Sequence, residues 1–502
     1  MSSAASPVET GSPGLVSSSG RGTTALAVSA LAAVFGLLTA TRADADLWGH
    51  VRYGLDTLRD WALPSIDPYS FTQDKPWVNH EWLSELLMGA AWRVGGSPGL
   101  IALKASMLTA VVVIVWRGLR GASHVARLWV MIGLAFGTIH ATSSLRPQVW
   151  TMVAVAILCR TLLADRSSGR RWLPVLFAIW VNCHGGWIVG LGILGMWAAA
   201  DTLMRSARTR EWMFVVGASI AATLVNPYGW GLWRFIAETV RPARNITEWG
   251  PLWGTPWLNW IPWIVATAGV VWVARRPSSQ RWPITAVLAM LAFGSLRVMR
   301  IESIYVVAAA VLLAPAIRLR WPAKQTPLAS IVVHHQRAFA LVLIGLVVWA
   351  GARTGFRSTR CIGVWSDTRP DQLVLPSLLR AQPGRLVTFF DWGQYALWHL
   401  GPGLGPGLKV SMDGRRETVY SDRRLDEHQA ILDGTDAGLQ LLSAWQPEYV
   451  WLPVTSVKTS SWLRAHGYRL DVETARSFVA VRADLPPLPA AAKTPEPQCF
   501  PG

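Results

Sequence analysis

Between Arg42 and Arg93 the chain carries Asp44, Asp46, Asp56, Asp60, Asp67, Asp74, Glu81 and Glu85, together with His50 and His80. Nothing else in its first half matches that density of acids. Apolar runs flank the stretch on both sides, so it emerges at a membrane surface. Anchoring does not require acids there, whereas proton abstraction and cation binding do. His50, His80, Glu81 and Glu85 have the donor types of a metal site. No HExxH spacing is present, and a loop helix of mixed charge would present the same residues.

Composition indicates what must position these groups. The 502 residues are 51% hydrophobic and 15% charged, with a mean hydropathy of +0.30. Soluble domains carry about 25% charge, so a polytopic α-helical membrane protein is expected. The net charge of +17 does not point to nucleic acid, because the arginines gather in short turns between apolar runs, where they set membrane orientation. Those runs lie near 23–41, 98–116, 125–142, 147–163, 172–183, 186–203, 211–226, 257–274, 283–299, 302–317 and 338–352. They amount to about eleven transmembrane helices, against the roughly 20 residues each crossing requires; the run before NCHGGW (182–187) is short. Basic turns at 117–127, 165–171, 205–210, 274–281 and 318–324 belong inside, with a Ser/Gly/Pro-rich tail at 1–22. The opposite face receives the loop 42–97, the turns near 143–148, 182–186 and 296–303, the loop 227–256, and everything past 353. Within the first loop, Asp46, His50 and Tyr53 share one helical face, and Leu47, Val51, Leu55 and Leu58 form a stripe. A short amphipathic helix lying on the membrane is expected, ended by Pro64 and Pro68. A second helix, from His80 to Trp92, leads into the next span.

The transmembrane region spans 23–352. Beyond it, strands are expected at 385–392, 408–413, 448–454, 469–473 and 477–484, with helices at 422–433, 437–445 and 457–467. They make a C-terminal α/β extracytoplasmic domain over 353–484, followed by a Pro-rich tail at 485–502. Cys361 and Cys499 bracket this domain on a face where disulfides persist, and a bond between them is expected to tie the tail back to the domain's start. Asn245-Ile-Thr fits a glycosylation sequon by pattern only.

DADLWGH (44–50), IDPYSFT (66–72) and PWVNHEWLSE (76–85), with LRPQ (145–148), NCHGGW, NPYG (226–229) and ITEWGP (246–251), resemble bacterial membrane proteins of the GT-C glycosyltransferase superfamily. These relate to protein-mannosyltransferases and lipid-A sugar transferases. The resemblance implies a GT-C-like transmembrane domain, a polyprenyl-phosphate-linked sugar as donor, and an Asp of the first outside loop as general base or metal ligand. Asp46 and Asp44 are the matching positions. Some branches use a divalent ion such as Mg²⁺ or Mn²⁺ and others none; if one is present, Asp44 and Asp46 are its candidate ligands. An inverting transfer also needs cations to stabilise the departing lipid phosphate. Arg146, Arg297, Arg300 and His184 are expected there, while His50, His80 and Glu81 are expected to contact the acceptor or the loop. FFDWGQYALW (389–398) resembles the WWDYG motif of oligosaccharyltransferases in part, which makes Asp391 a candidate acceptor contact beside its simpler reading as a strand-end turn. MDGRRETVY (412–420) is a further feature of the bacterial group.

The expectation is a glycosyltransferase of the bacterial inner membrane acting outside the cytoplasm on a glycan, lipid or protein acceptor. Two alternatives stand beside it. One is an oligosaccharide ligase or oligosaccharyltransferase-like enzyme with a lipid-pyrophosphate donor. The other is a transporter or scaffold that kept the fold. A transporter should carry ionisable groups at mid-membrane depth, and Lys104 is the clearest of few.

Overall fold

The computed structural model describes residues 34, 36–38, 40–164, 166–239, 249–275, 281–323, 360–364, 370–490 and 499–502. The tail 1–22, nearly all of the run 23–41, the run 338–352, the Asn245 sequon and much of the Pro-rich tail lie outside these residues.

A two-residue strand β1 (Arg42–Ala43) leads into helix α1 (Leu47–Asp60), and α2 (Trp82–Gly118) follows. The two helices cross at glycines. A Cβ on Gly54 would run into the backbone oxygen of Glu85, and one on Gly89 into the backbone of Gly54. Trp61 closes α1 in the left-handed region, at φ 50°, with its N–H on the Thr57 carbonyl. The amphipathic helix of the first loop therefore forms, but its first half does not lie open on a membrane. Leu47, Trp48, Val51, Arg52 and Tyr53 are all buried, because the C-terminal domain covers the side that the sequence left free. In α2, Gly96 at φ 56° and Pro98 bend the helix between a loop-side half and a long apolar half.

The bundle continues with α3 (His124–Thr142), α4 (Gln148–Leu163), α5 (Leu173–Trp180), α6 (Trp187–Met204), α7 (Thr209–Ala222), α8 (Trp230–Thr239), α9 (Trp260–Ala274), α10 (Arg281–Arg297), α11 (Glu302–Leu312) and α12 (Ala314–Arg320). The apolar runs from 98 to 317 thus coincide with helices. Among the described residues, four helices are long and apolar enough to cross a membrane, and the pair Met299–Leu312 and Ala314–Arg320, bent by 48°, makes a fifth if taken as one span. The other runs give shorter helices, with 16 residues in α4, 14 in α7 and 8 in α5. At the centre stands α11, buried along nearly its whole length. Outward-facing Ile139, Ile179, Phe214 and Val265 stay exposed on α3, α5, α7 and α9. An apolar surface of that extent belongs in lipid, so the chain is a membrane protein.

The C-terminal region contains β2 (Gly363–Val364), β3 (Gly384–Thr388), α13 (Gly393–Leu400), β4 (Leu408–Val410), α14 (Asp422–Asp433), α15 (Asp436–Trp445), β5 (Tyr449–Pro453), α16 (Val457–Ala465), β6 (Tyr468–Glu473) and β7 (Ser477–Arg482). The sheet runs β4-β3-β5-β7-β6, parallel on its β4-β3-β5 side and antiparallel beyond. Side chains alternate across it. Val387, Val450 and Leu452 pack with Ile431, Leu442 and Leu463, while Leu386 and Trp451 join a core shared with Leu47, Trp48 and Tyr395. Through that second core the domain rests on the first loop. The strand expected at 385–392 ends early, and the missed helix α13 takes over, buried on almost every side against α1.

Cys361 and Cys499 are bonded. Next to the bond, Phe500 is buried among Trp48, Trp92 and Trp398, and the Trp48 indole donates to the Pro501 carbonyl at 2.7 Å. β1 pairs in parallel with β2 on one side and bridges Ser144 on the other, while Gly363 bridges Cys499. These segments form a narrow seam in the order Ser144, β1, β2, Cys499.

Candidate functional site

Immediately after β1, Asp44 and Asp46 diverge in role. The Oδ1 of Asp44 accepts the backbone N–H groups of Asp46 at 3.2 Å and Leu47 at 3.1 Å, capping the start of α1. Its Oδ2 accepts from Arg146 Nε. Asp46 makes no capping bond and lies 3.4 Å from Arg146 Nη2. Its Oδ1 faces Gly414 and Gln394, since a Cβ on Gly414 would strike both Asp46 Oδ1 and Gln394 Nε2. The Gln394 Oε1 in turn accepts the Gly49 N–H at 3.0 Å. Burial alone would raise both acids. At Asp44 the adjacent guanidinium and the hydrogen bonds of Arg146 and Ser144 overcome it and hold the carboxyl below the usual range. At Asp46 burial prevails, reinforced by the Asp44 charge and by Asp391. Two neighbouring carboxylates are thereby pushed apart, one fixed as an anion and one made more basic.

Asp391 reaches this place from the other domain. It sits in the tight turn Phe390–Trp392 at the end of β3, so the strand-end reading and the position near Asp46 hold together. Burial raises its carboxyl against the pull of Arg416 and Arg146.

A second group adjoins the first on the bundle side. His50 Nδ1 lies 2.9 Å from Glu85 Oε1, and Asn79 donates to the other Glu85 oxygen at 2.6 Å. Burial would discharge His50, but Glu85, Glu81 and Asp46 raise it to about 9. Glu81 lies 3.7 Å from His80 Nε2 and 3.8 Å from His184 Nε2. Burial would raise its carboxyl, and its interactions with His80, His184, His50 and Arg300 bring it down. His184 is neutral: burial lowers it to about 3, with Arg300 adding to the effect against Glu81. Its Nδ1 accepts from the Gly186 N–H at 3.1 Å and lies 2.8 Å from the Thr151 hydroxyl, which receives the Trp180 indole N–H at 2.9 Å. The ring proton therefore sits on Nε2, on the Glu81 side. Arg300 is pinned by Gln148, whose amide bonds both its Nε, at 3.3 Å, and its carbonyl, at 3.2 Å.

The side chains of Asp44, Asp46, His50, Glu81, Arg146, His184 and His80 keep 12–29% exposure although protein surrounds them. That combination marks a partly buried junction of the bundle, the first loop and the C-terminal domain. It brings together Asp44, Asp46, Arg146, His50, Glu81, His80, His184, Arg300 and Asp391. Arg297 is not among them; it is exposed at the end of α10, with its guanidinium over the Phe293 ring at 5.4 Å.

Sequence reasoning passed over Gln394, Gly414 and a buried knot beneath them. Arg415 donates to Asp67 at 2.6 and 2.8 Å and to Asp413 at 2.9 and 2.6 Å. Its guanidinium is walled by Tyr53, Tyr69 and Trp77 at 4.8–5.2 Å. Both motifs, IDPYSFT and MDGRRETVY, stood out in the sequence, and the only missing signal was that they meet.

No protein-family model matches the chain, and no curated protein matches it in sequence. Solved structures do match it in fold. The Archaeoglobus fulgidus oligosaccharyltransferase, tethered to an acceptor peptide containing the NVT sequon, superimposes with a TM-score of 0.56 at 12% identity, over 93% of this chain and 74% of that one. AglB of the same organism, in complex with an inhibitory peptide and a dolichol-phosphate, gives 0.57 at 11% identity over 90% and 73%. ArnT from Cupriavidus metallidurans, bound to undecaprenyl phosphate, gives 0.57 at 11% identity over 92% and 98%. The chain therefore shares its fold with these solved structures.

Proposed function

We propose that this protein is an inverting glycosyltransferase that moves a sugar from a polyprenyl-phosphate donor to a glycan, lipid or protein of the bacterial envelope. The observation that carries the reading is the divided carboxylate pair, Asp44 and Asp46, set on one Arg146 at the partly buried junction that the C-terminal domain covers. Asp46, the more basic of the two, takes the acceptor's hydroxyl proton as the oxygen attacks the anomeric carbon. Asp44 stays anionic and holds Arg146 and the start of α1 in place. The lipid phosphate leaves from the opposite face of the sugar, towards Arg300 and the Nε2–H of His184, whose donors strengthen as its charge develops. Arg146 contributes its field across both, and Asp391 approaches the acceptor from the C-terminal side.

Of the acidic sets, His50, Glu81 and Glu85 fit a divalent ion such as Mg²⁺ or Mn²⁺, because their ligand atoms all lie within 4.8 Å of one another. Asp44 and Asp46 hold a guanidinium between them instead. Such an ion would supply positive charge near the leaving phosphate and displace the His50 proton on binding. The topology that suits this reading places about eleven helices in the inner membrane, with the N-terminus in the cytoplasm and the C-terminal domain outside. The Cys361–Cys499 bond supports the outside placement of that domain.

A second reading, a ligase with a lipid-pyrophosphate donor, is favoured by the place of Asp391 in the FFDWG turn beside Asp46. The test separates the two. In a deletion strain complemented with wild type, envelope and lipid profiling should recover a sugar-bearing species, and Asp46→Ala should leave it absent while the donor accumulates. The accumulating carrier is a monophosphate in the first reading and a pyrophosphate in the second. Full complementation by Asp46→Ala would refute both.

A further inference from the structure

Lys104 sits in the apolar half of α2 with no exposed surface, and its ammonium donates to two backbone carbonyls, Ala40 at 2.6 Å and Thr142 at 2.8 Å. Thr142 ends α3, and Ala40 follows the helical residues 36–38, so one cation meets two helix C-termini, where carbonyls lack helical partners and the dipole favours positive charge. Both anchored residues stand at the foot of a paired track. Two residues beyond them, Arg42 bridges Ser144 in parallel, and the Arg42 N–H bonds the Ser143 carbonyl at 2.8 Å. Two residues further, Asp44 meets Arg146, at the same sequence offset of 102. A slip of one residue in such a track turns each side chain to the opposite face, so register decides whether Asp44 finds Arg146.

We propose that Lys104 is a positioning residue, fixing the register of the segments that carry Asp44, Asp46 and Arg146 by tying Ala40 to Thr142. This rests on the reading of Asp46 as the base, but its structural half can be tested apart from that reading. Neither a proton path nor an ion path is needed to account for this buried charge, since both its bonds end on backbone.

The experiment uses full-length protein in lipid nanodiscs. Cysteines are placed at Arg42 and Ser144, and in a separate protein at Arg42 and Ser143, and disulfide yield is read by peptide mass spectrometry. With Lys104 present, the 42–144 pair should dominate. Lys104→Met should shift the ratio away from that pair and lower turnover about 10²-fold, as misplacement of reacting groups does, while donor KM changes little; Lys104→Arg should restore both. If Lys104→Met does not fold, Lys104→Gln, whose uncharged amide falls one bond short of the two carbonyls, carries the same test. An unchanged cross-link ratio in Lys104→Met or Lys104→Gln overturns the proposal, even if turnover falls. A shifted ratio in a protein whose wild type transfers no sugar would uphold the positioning and remove the glycosyltransferase reading.

Discussion

Arg146 lies between Asp44 and Asp46, and Arg415 lies between Asp67 and Asp413. The residue types are the same, yet the surroundings separate them. Around Arg415 the side chains are 0–5% exposed, and Nε, Nη1 and Nη2 all bond carboxylate. Around Arg146 they are 18–29% exposed, one aspartate is spent on the helix start and the other is not. A saturated ion cluster has no capacity left for a substrate. One that is partly exposed and split in basicity has it. Depth of burial and the split in basicity, rather than the presence of acids, distinguish the knot that holds the two domains together from the place where a proton can move.

The comparison breaks most sharply at Asp46. Asp46→Asn keeps the shape but cannot take a proton, so turnover should fall about 10²–10⁴-fold with the melting temperature unchanged; near-normal turnover in a reconstituted assay would move the reaction elsewhere. Arg415→Met should do the reverse. It leaves two buried carboxylates unpaired, and loss of one partner in such a cluster costs about 3–5 kcal/mol. Denaturation should show that loss, with faster proteolysis between the first loop and the C-terminal domain.

Gly414→Ala sharpens the same contrast from one side only. The new methyl meets the ends of Asp46 and Gln394, which can swing away, so stability should hold within about 1 kcal/mol while turnover drops by about 10²-fold. A protein that loses stability and keeps turnover would show that Asp46 does not depend on the covering loop.

The smallest expected effect is a pH dependence. The His50 pKa in the folded chain is raised from 6.5 to about 9 by Glu85. Its contribution to stability is then fully present below about pH 6.5 and is lost as pH rises through about 9, at most about 3 kcal/mol. In chelator-treated protein, His50→Gln should flatten that part of the stability profile. An unchanged slope would mean that the imidazole is not charged in the fold.

Legibility followed distance along the chain. Asp46, His50 and Tyr53 on one helical face, the helices α14 and α15, and the strands β5 and β7 were readable because the residues that define them are neighbours in sequence. Asp44 and Arg146 were named separately, from a motif and from the end of an apolar run, but their pairing was not visible. Arg415 could not be linked to Asp67 at all, since a partner 348 residues away leaves no periodicity. α13 was missed because GQYALWHL follows a β-rich run without a break and is apolar nearly all round, so no stripe announces a helix. Lys104 drew notice as a charge within a span, and only the carbonyls of Ala40 and Thr142 reveal its use.

The seam of Ser144, β1, β2 and Cys499 has a consequence in time. Synthesis delivers Asp44, α1 and Arg146 early, whereas β2 and Cys499 emerge only after the whole bundle has been made. Until they arrive, β1 lacks one neighbour and the Trp48 indole lacks the Pro501 carbonyl. A partly made chain thus already carries its acids but not the walls around them. That junction is finished last, when Cys361 and Cys499 join, so the unfinished protein carries the carboxylate pair without its C-terminal cover.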